Sequence, residues 1–465
     1  MKILVAIANY GTKNMHYLDI LIEEYRSMKY DVDIVVLSNI PKDLGSDIEV
    51  LVGLPDKNPW SLPFAHKKAF AERSKDYDLY IYSEDDTLLT EKNIDAFLKV
   101  TPILDENEIA GFIRYEIDSL GRIYYSTIHS HFHWKPDPVK SVGEYTFAHF
   151  TNDHSACYIL TQKQLNMAIK SGGYLVKPHD EKYDLLVTAA TDPYTQCGLI
   201  KMICLSHIKD FQIHHLPDQY LGKMGIDEHE LHIQLNALLI NKQREELFQA
   251  QTKLKQSRWS KSYYENPRLD ILDLIPQNVK NVLSVGCGWG ATEAELVKRG
   301  IRVVGIPIDE IIGACAKERG VEIVTPNFEI ALQQLVNKSF DAIIFSDILQ
   351  YLHNPPDILT KFSKLIAERG IILIRVPNFN RVNILRGLLF KKYNISINDK
   401  INFDKTNLHF TTKRMVKNWL NQSGIEVNKI VYCIEDRFQN YARLSFGLLY
   451  ELLASQLLFV GKINQ

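Results

Sequence analysis

Val282-Leu283-Ser284-Val285-Gly286-Cys287-Gly288-Trp289-Gly290-Ala291-Thr292-Glu293 sets a short apolar run directly against three alternating glycines. The run reads as a buried strand, and helical spacing resumes near Ala291. Glycine lets the backbone turn sharply and pass close to a ligand that a side chain would obstruct. A strand that delivers such a turn to its tip is what a nucleoside-bearing cofactor needs, with Gly286, Cys287, Gly288 and Gly290 lining it. The same residues also satisfy a dinucleotide fingerprint of the G-x-G-x-x-A type, which keeps a nicotinamide oxidoreductase open at this point.

Some two hundred residues earlier lies a second strand tip of another kind. Tyr77-Asp78-Leu79-Tyr80-Ile81-Tyr82-Ser83 runs into Glu84-Asp85-Asp86. Three adjacent acids repel one another unless a cation sits among them. A hard divalent ion takes oxygen ligands, and one or two carboxylates plus substrate phosphates complete its shell. The alternative is local: Asp85-Asp86-Thr87 caps the helix that follows.

The chain of 465 residues is too long for one ordinary core and fits two domains of common size. Its net charge is -2, from 54 basic and 56 acidic residues, which argues against a nucleic-acid binder. Cys157, Cys197, Cys204, Cys287, Cys315 and Cys433 form no CxxC pair and no zinc spacing, so free thiols in a reducing compartment are expected. The opening Met1-Lys2-Ile3-Leu4-Val5-Ala6 reads as a first strand and not as a signal peptide. No stretch of 18 uninterrupted apolar residues offers a membrane span. A cytoplasmic protein is expected; Arg381 to Lys392, where basic and apolar residues mix, is either a solvated helix face, the commoner case, or a contact for the inner membrane face or an anionic carrier lipid.

Strands alternate with helices from the start, which implies a mainly parallel sheet covered on both faces. Lys2 to Ala8, Asp33 to Leu37 and Leu79 to Tyr82 are the strand candidates, with helices over Tyr17 to Met28 and Ala65 to Arg73. The polar, Gly- and Pro-free stretch after Leu238 predicts a connecting helix. The division is therefore residues 1–238, a linker helix over 239–260, and residues 261–465. Alternation restarts at Asn281, with strands at Val282–Val285, Arg302–Ile306, Ala342–Phe345, Ile371–Val376, Val427–Cys433 and Leu457–Val460. His129-Ser130-His131-Phe132-His133 on a strand would turn three imidazoles to one face, most simply a half-solvated row beside Trp134.

The first half resembles GT-A-fold glycosyltransferases, with Glu84-Asp85-Asp86 as a variant of their Asp-x-Asp motif. The resemblance implies a metal contact at Asp86, a ribose or metal-water contact at Asp85 and Glu84, and nucleoside contacts at Asn9 and Tyr10. It implies Mn or Mg as the ion and a nucleotide-sugar as donor. It also places a late histidine ligand at His214 or His215, after the strand Phe211–Ile213. An inverting member needs a base at the acceptor hydroxyl, and Asp153, Asp184 and Asp192 are the candidates, with Asp192 preferred.

The second half resembles class I S-adenosylmethionine-dependent methyltransferases from Lys261 to Lys462. Four segments match in order: the glycine turn; Ser339 to Pro355 as the fourth strand and its exit; Arg375-Val376-Pro377-Asn378 as the fifth; and Leu408-His409-Phe410-Thr411 leading into a helix over Thr412 to Gly424. The ribose acid expected after the second strand is replaced by Pro307, with Asp309 two residues on as its substitute. Asn327 and Phe328 stand at the adenine-side position, and Gln350-Tyr351 replaces a common Glu-His pair. Asp347 is either a cofactor contact or a helix cap, and His353 and His409 are the possible bases for a hydroxyl acceptor.

The expected fold is therefore α/β in two domains, a GT-A-like mixed or parallel sheet with flanking helices followed by a Rossmann-like seven-stranded methyltransferase sheet. The expected function is bifunctional: sugar transfer from a nucleotide-sugar, and methyl transfer from S-adenosylmethionine to a glycan or small-molecule acceptor. Surface polysaccharide synthesis, with a glycan or lipid-linked acceptor, is the setting in which the two steps make sense. Two alternatives stay open for the second half, a non-catalytic nucleotide-binding module and the oxidoreductase.

Overall fold

The structure is a computed structural model that describes residues 1–127, 131–221, 225–240, 251–254, 259–382, 384 and 403–463. The chain divides into two compact units, Met1–Lys242 and Gln243–Gln465.

The strands of the first unit are β1 (Lys2–Ala8), β2 (Asp31–Ser38), β3 (Ile48–Val52), β4 (Leu79–Glu84), β5 (Thr87–Leu88), β6 (Glu108–Ala110) and β7 (Ile113–Ile117). They continue with β8 (Ile123–Tyr125), β9 (Trp134–Val142), β10 (Tyr145–Phe150), β11 (Cys157–Thr161), β12 (Ile200–Cys204), β13 (Gln212–His215) and β14 (Ile226–Asp227). The main sheet has the order β11-β4-β1-β2-β3. Its β1 to β4 run parallel, and β11 is antiparallel to β4. Ile3 to Ile7 of β1 are wholly buried, as a central parallel strand covered on both faces must be. The helix Met15–Ser27 buries Leu18, Leu21, Ile22 and Tyr25, one stripe at helical spacing that seals one face. Two smaller sheets, β6-β12-β10-β9 and β14-β8-β7-β13-β5, complete the unit.

Register decides what meets beyond the strand ends. Ala8 of β1 pairs with Glu84 of β4 and with Leu37 of β2. The next residues, Asn9 and Asp85, therefore emerge side by side at the carboxyl edge of the sheet, where ligands of such sheets bind.

The second unit holds one seven-stranded sheet. Its strands are β15 (Asn281–Cys287), β16 (Arg302–Pro307), β17 (Glu322–Ile323), β18 (Phe340–Ser346), β19 (Ile366–Pro377), β20 (Ile425–Ile434) and β21 (Ala454–Ile463). Their order is β17-β16-β15-β18-β19-β21-β20. Strand β21 is inserted antiparallel between β19 and β20. Each of the six strands expected from sequence lies within a longer one found here, and the short edge strand β17 is not among those expected.

Three expectations change. The linker helix is not continuous: a helix ends at Ile240 and residues 251–254 are not helical, while 241–250 and 255–258 lie outside the described residues. The histidine row is not a strand, since β9 begins at Trp134 and His131 sits in a turn. There His133 is buried and its backbone N–H donates to Thr151 Oγ1 at 3.0 Å, while His129 and Ser130 lie outside the described residues. Finally, Asp85-Asp86-Thr87 caps no helix, because the next helix, Glu91–Val100, starts from Thr90. Among the described residues, no helix is long and apolar enough to cross a membrane.

Candidate functional site

The glycine turn of the second unit departs β15 in a conformation that requires glycine. Gly286 and Gly290 have φ of +76° and +84°, in the left-handed region. A Cβ on Gly288 would run into the carbonyl oxygen of Tyr263, and Trp289 N–H donates to that same oxygen at 3.0 Å. The segment around Tyr263 thus lies against the turn. Beneath it, Ser284 Oγ donates to buried Glu293 at 2.5 Å, and Lys261 Nζ donates to the Ser346 carbonyl at 2.7 Å.

The predicted cofactor residues fall into two groups. Asp309 is buried and caps the helix Glu310–Glu318, accepting from Ile312 N–H at 2.8 Å. Asn327 likewise caps the helix Phe328–Leu335, accepting from Glu329 and Ile330 N–H. Phe328 packs edge-on against Phe362, with ring centroids 5.4 Å apart. These three serve local structure in the arrangement seen. Asp347 behaves differently. It follows β18 with φ +52°, caps no helix, and forms a buried ion pair with Arg375. Arg268 reaches it at 3.3 Å, and Arg375 Nε is 2.9 Å from Asp270.

Two acids therefore flank one buried guanidinium. Burial opposes the Arg375 charge, but Asp347 and Asp270 outweigh it and hold its pKa above the ordinary value. Burial raises Asp270, and the Arg375 charge reverses the shift, so its carboxyl sits below the ordinary range. Nearby, Ser346 Oγ, Gln350 Oε1 and Arg268 Nε are buried without a hydrogen-bond partner among the described residues. Buried polar atoms are normally satisfied, so unmatched donors and acceptors beside a glycine turn fit a polar ligand. The turn and these atoms fit a polar cofactor such as S-adenosylmethionine.

The imidazoles of the two histidines proposed as bases take no part in the Asp347–Arg375–Asp270 ion pairs, although the His409 backbone N–H donates to the Gln350 carbonyl at 2.7 Å. His353 has an 81% exposed side chain, 3.8 Å from Asp404. His409 stacks on Phe403, and its Nε2 lies 2.9 Å from the Leu352 carbonyl. Burial lowers its pKa.

In the first unit the acids do converge with groups from other elements. Asn9 Nδ2 donates to Asp85 at 2.5 Å and Asn14 Nδ2 at 2.9 Å. Burial pushes the Asp85 carboxyl up to about 6 against these bonds, and burial with Asp86 beside it pushes Glu84 up to about 8. Asn9 is wholly buried, with its Oδ1 unpartnered among the described residues, whereas Tyr10 is half exposed. His214 and His215 both lie within β13, not after it, so they face opposite ways. His214 stacks on Tyr115 and reaches Asp218 at 3.1 Å. His215 is buried, with Nε2 3.7 Å from Asp86 and Nδ1 2.7 Å from Glu116. Burial disfavours its charge, but Asp86 and Glu116 prevail and raise its pKa. Among the described residues, no group of three or more His, Cys, Asp or Glu forms a metal shell.

The base candidates lie in different settings. Asp192 is 0% exposed and is engaged by Lys67, with His179 Nε2 at 3.3 Å; it serves an internal ion pair. Asp184 is exposed and caps the helix Leu185–Thr195 through Val187 N–H. Asp153 is buried against Lys182 Nζ at 2.7 Å.

Sequence reading assigned no role to Glu116, Arg375, Asp270 or Arg268. Arg375 carried a signal, a charge inside the apolar run Ile371–Val376, which must find partners when buried. Glu116 carried none, because alternating strands often bear acids.

The family model described as "Methionine biosynthesis protein MetW" matches residues 267–459. A "Ubiquinone biosynthesis O-methyltransferase" from Dechloromonas aromatica is 26% identical over 175 residues, 36% of this chain and 74% of that protein. A "Trans-aconitate 2-methyltransferase" from Deinococcus radiodurans is 27% identical over 112 residues, 24% of this chain and 43% of that protein. The chain thus spans three quarters of the first relative's length and less than half of the second's. A solved S-adenosylmethionine-dependent methyltransferase from Archaeoglobus fulgidus aligns at 18% identity and a TM-score of 0.33, covering 42% of this chain and 91% of that one. The second unit is thus similar in sequence, over part of its length, to proteins named as methyltransferases.

Proposed function

We propose that the second unit transfers a methyl group from S-adenosylmethionine to an oxygen of a sugar or related small acceptor. The observation that carries this is the glycine turn at the tip of β15 in a sheet whose antiparallel β21 is inserted between β19 and β20. A dinucleotide-binding sheet has the order 3-2-1-4-5-6 with no such insertion, which disfavours the oxidoreductase reading. Oxygen as the accepting atom draws on the relatives named O-methyltransferases.

Bound S-adenosylmethionine supplies the methyl electrophile. The chain's own part is to hold and orient. Gly286, Cys287, Gly288 and Gly290 let the backbone approach the cofactor. Ser346 and Gln350 offer unmatched oxygens to it, with Asp309 and Asn327 at the ends of the neighbouring helices. The Asp347–Arg375–Asp270 network fixes the carboxyl edge of β18 and β19, so the acceptor meets a preorganised wall. Isothermal calorimetry on the full chain tests the reading. Binding of S-adenosylmethionine and not NADH is expected; binding of NADH alone would transfer the site to the oxidoreductase class, and binding of neither would leave a non-catalytic module.

A second activity is proposed for the first unit on a separate observation. His215 Nε2 faces Asp86 while Glu116 holds its other nitrogen, the usual way a histidine ligand is oriented. Two protein ligands suffice where the diphosphate of a nucleotide-sugar supplies the rest. With strands β1 and β4 delivering Asn9, Tyr10, Glu84 and Asp85 to one edge, a Mn- or Mg-dependent sugar transfer is the chemistry that fits. Asp86→Ala should abolish metal-dependent hydrolysis of nucleotide-sugars; unchanged hydrolysis would remove Asp86 as the anchor. Joined in one chain, the two steps would glycosylate and methylate the same surface glycan or lipid-linked acceptor.

A further inference from the structure

The chain between β20 and β21 makes an apolar projection with no counterpart in either proposed site. The helix Asp436–Leu444 buries only Ala442. After it, Phe446 is 96% exposed and Leu448 87% exposed, with Leu444 and Tyr441 also exposed on the helix. Single exposed apolar residues are ordinary, but a contiguous patch marks an interaction surface. The backbone is shaped for it. Phe446 has φ +49°, an unusual value for a bulky residue, and Gly447 follows at +89°. The turn is braced at its base, where Tyr450 packs on Tyr432 at 6.0 Å and Arg381 pairs with Glu435 at 2.6 Å while lying over Phe438.

Beside the projection is a surface concavity lined by Lys413, Arg414, Lys417, Asn421 and Glu451. Its one acid, Glu451, is 3.3 Å from Lys413, so the lining is cationic in sum. On the helix itself Arg443 adds an exposed guanidinium, while Arg437 is paired with Glu435 at 2.6 Å next to exposed Asp436. Apolar side chains at a tip, with cations set along the adjoining face, match an interface of acyl chains topped by anionic headgroups.

We propose that this face docks the protein on an anionic phospholipid bilayer, with Phe446 and Leu448 inserted and Lys413, Arg414 and Lys417 against the phosphates. A second copy of the chain fits less well, because a two-fold contact would set this cationic face against itself. The Arg381 to Lys392 stretch, read from sequence as either a solvated helix face or a membrane contact, starts at the base of the same projection, and most of it lies outside the described residues. This docking does not depend on the methyl-transfer reading.

Co-sedimentation of the full chain with phosphatidylcholine vesicles and with mixed phosphatidylcholine–phosphatidylglycerol vesicles tests it. The expected result is binding to the mixed vesicles that weakens with added salt and falls at least about tenfold in Phe446→Ser/Leu448→Ser and in Arg414→Glu/Lys417→Glu. All four positions have little packing to lose, and an unchanged unfolding temperature confirms that the variants fold. No vesicle binding, equal binding to both vesicle types, or binding unmoved by either variant overturns the proposal. Self-association relieved by Phe446→Ser/Leu448→Ser without vesicle binding would also overturn it and assign the face to a second copy.

Discussion

The backbone N–H of Trp289 donates to the carbonyl of Tyr263 at 3.0 Å, fastening the segment that precedes the sheet against the glycine turn. The bond exists because Gly288 has no side chain. In Gly288→Ala the new methyl collides with the Tyr263 carbonyl, and backbone atoms on both sides must move. Overpacking of this kind costs about 1–3 kcal/mol. The expected result is a lower unfolding temperature together with at least about a tenfold loss of S-adenosylmethionine affinity by calorimetry. Unchanged affinity would show that the turn is structural and not the cofactor's seat.

Arg375 supports two acids at once, and its removal should be among the most damaging single changes in the second unit. Arg375→Met leaves Asp270 and Asp347 without their shared cation. Breaking a buried pair by removing one partner costs about 3–5 kcal/mol. Arg375→Lys is expected to rescue little, because a single ammonium cannot reach both carboxylates in the guanidinium's geometry. The pair also predicts an acid limb. The folded pKa of Asp270 lies below its unfolded value, so its contribution is present above about pH 4 and is lost as pH falls through the lower folded pKa. Arg375→Met should shrink that acid-dependent loss in urea unfolding curves.

Much of this fold can be read from the chain because its signals are local. Val282–Val285 before three glycines and Leu79–Tyr82 before three acids each announce a strand tip, and both are found as such. Strand order is set by non-local pairing, and no segment of the second unit announces that β21 lies between β19 and β20. The sites are less legible, because burial and partners come from elsewhere in the chain. Asp192 reads as a possible base and is enclosed with Lys67, 125 residues away. Asp309 and Asn327 read as ligand contacts and occupy helix caps, a duty that Asp and Asn perform wherever a helix begins beside them. His215 and His214 are indistinguishable in sequence. Strand alternation alone turns one toward Asp86 and the other toward Tyr115.

Glu116 should control the charge of His215. In the metal-free protein, burial works against protonation of His215, and the two carboxylates reverse it, so the imidazole titrates above its ordinary value. Glu116→Gln removes one of those charges while keeping a hydrogen-bond acceptor. The expected outcome is a lower His215 pKa by histidine NMR and about a 10–100-fold weaker affinity for Mn. A lowered pKa with unchanged Mn affinity would confine Glu116 to the apo protein and remove His215 as a ligand.

Lys201 offers a test by pH in the first unit. It is fully buried, with its stem against Gly111 and its ammonium donating to Ser155 and to the Asn152 carbonyl at 3.2 Å. Burial pulls its pKa down to about 8, against the opposing charge of Asp153. The unfolded chain holds this proton up to about pH 10.4. Between those values the unfolded state binds the extra proton, so stability rises with pH from about 8 to about 10.4. Below pH 8 both states are protonated, and the full penalty of a buried ammonium, on the order of 3 kcal/mol, remains. Lys201→Met keeps the stem and removes the charge. The difference in unfolding free energy between wild type and variant should therefore move in favour of wild type across that window, whatever the nearby tyrosines do to each profile alone. A difference that stays flat from pH 7.5 to 10.5 would mean that Lys201 keeps an ordinary pKa and that its burial carries no electrostatic penalty.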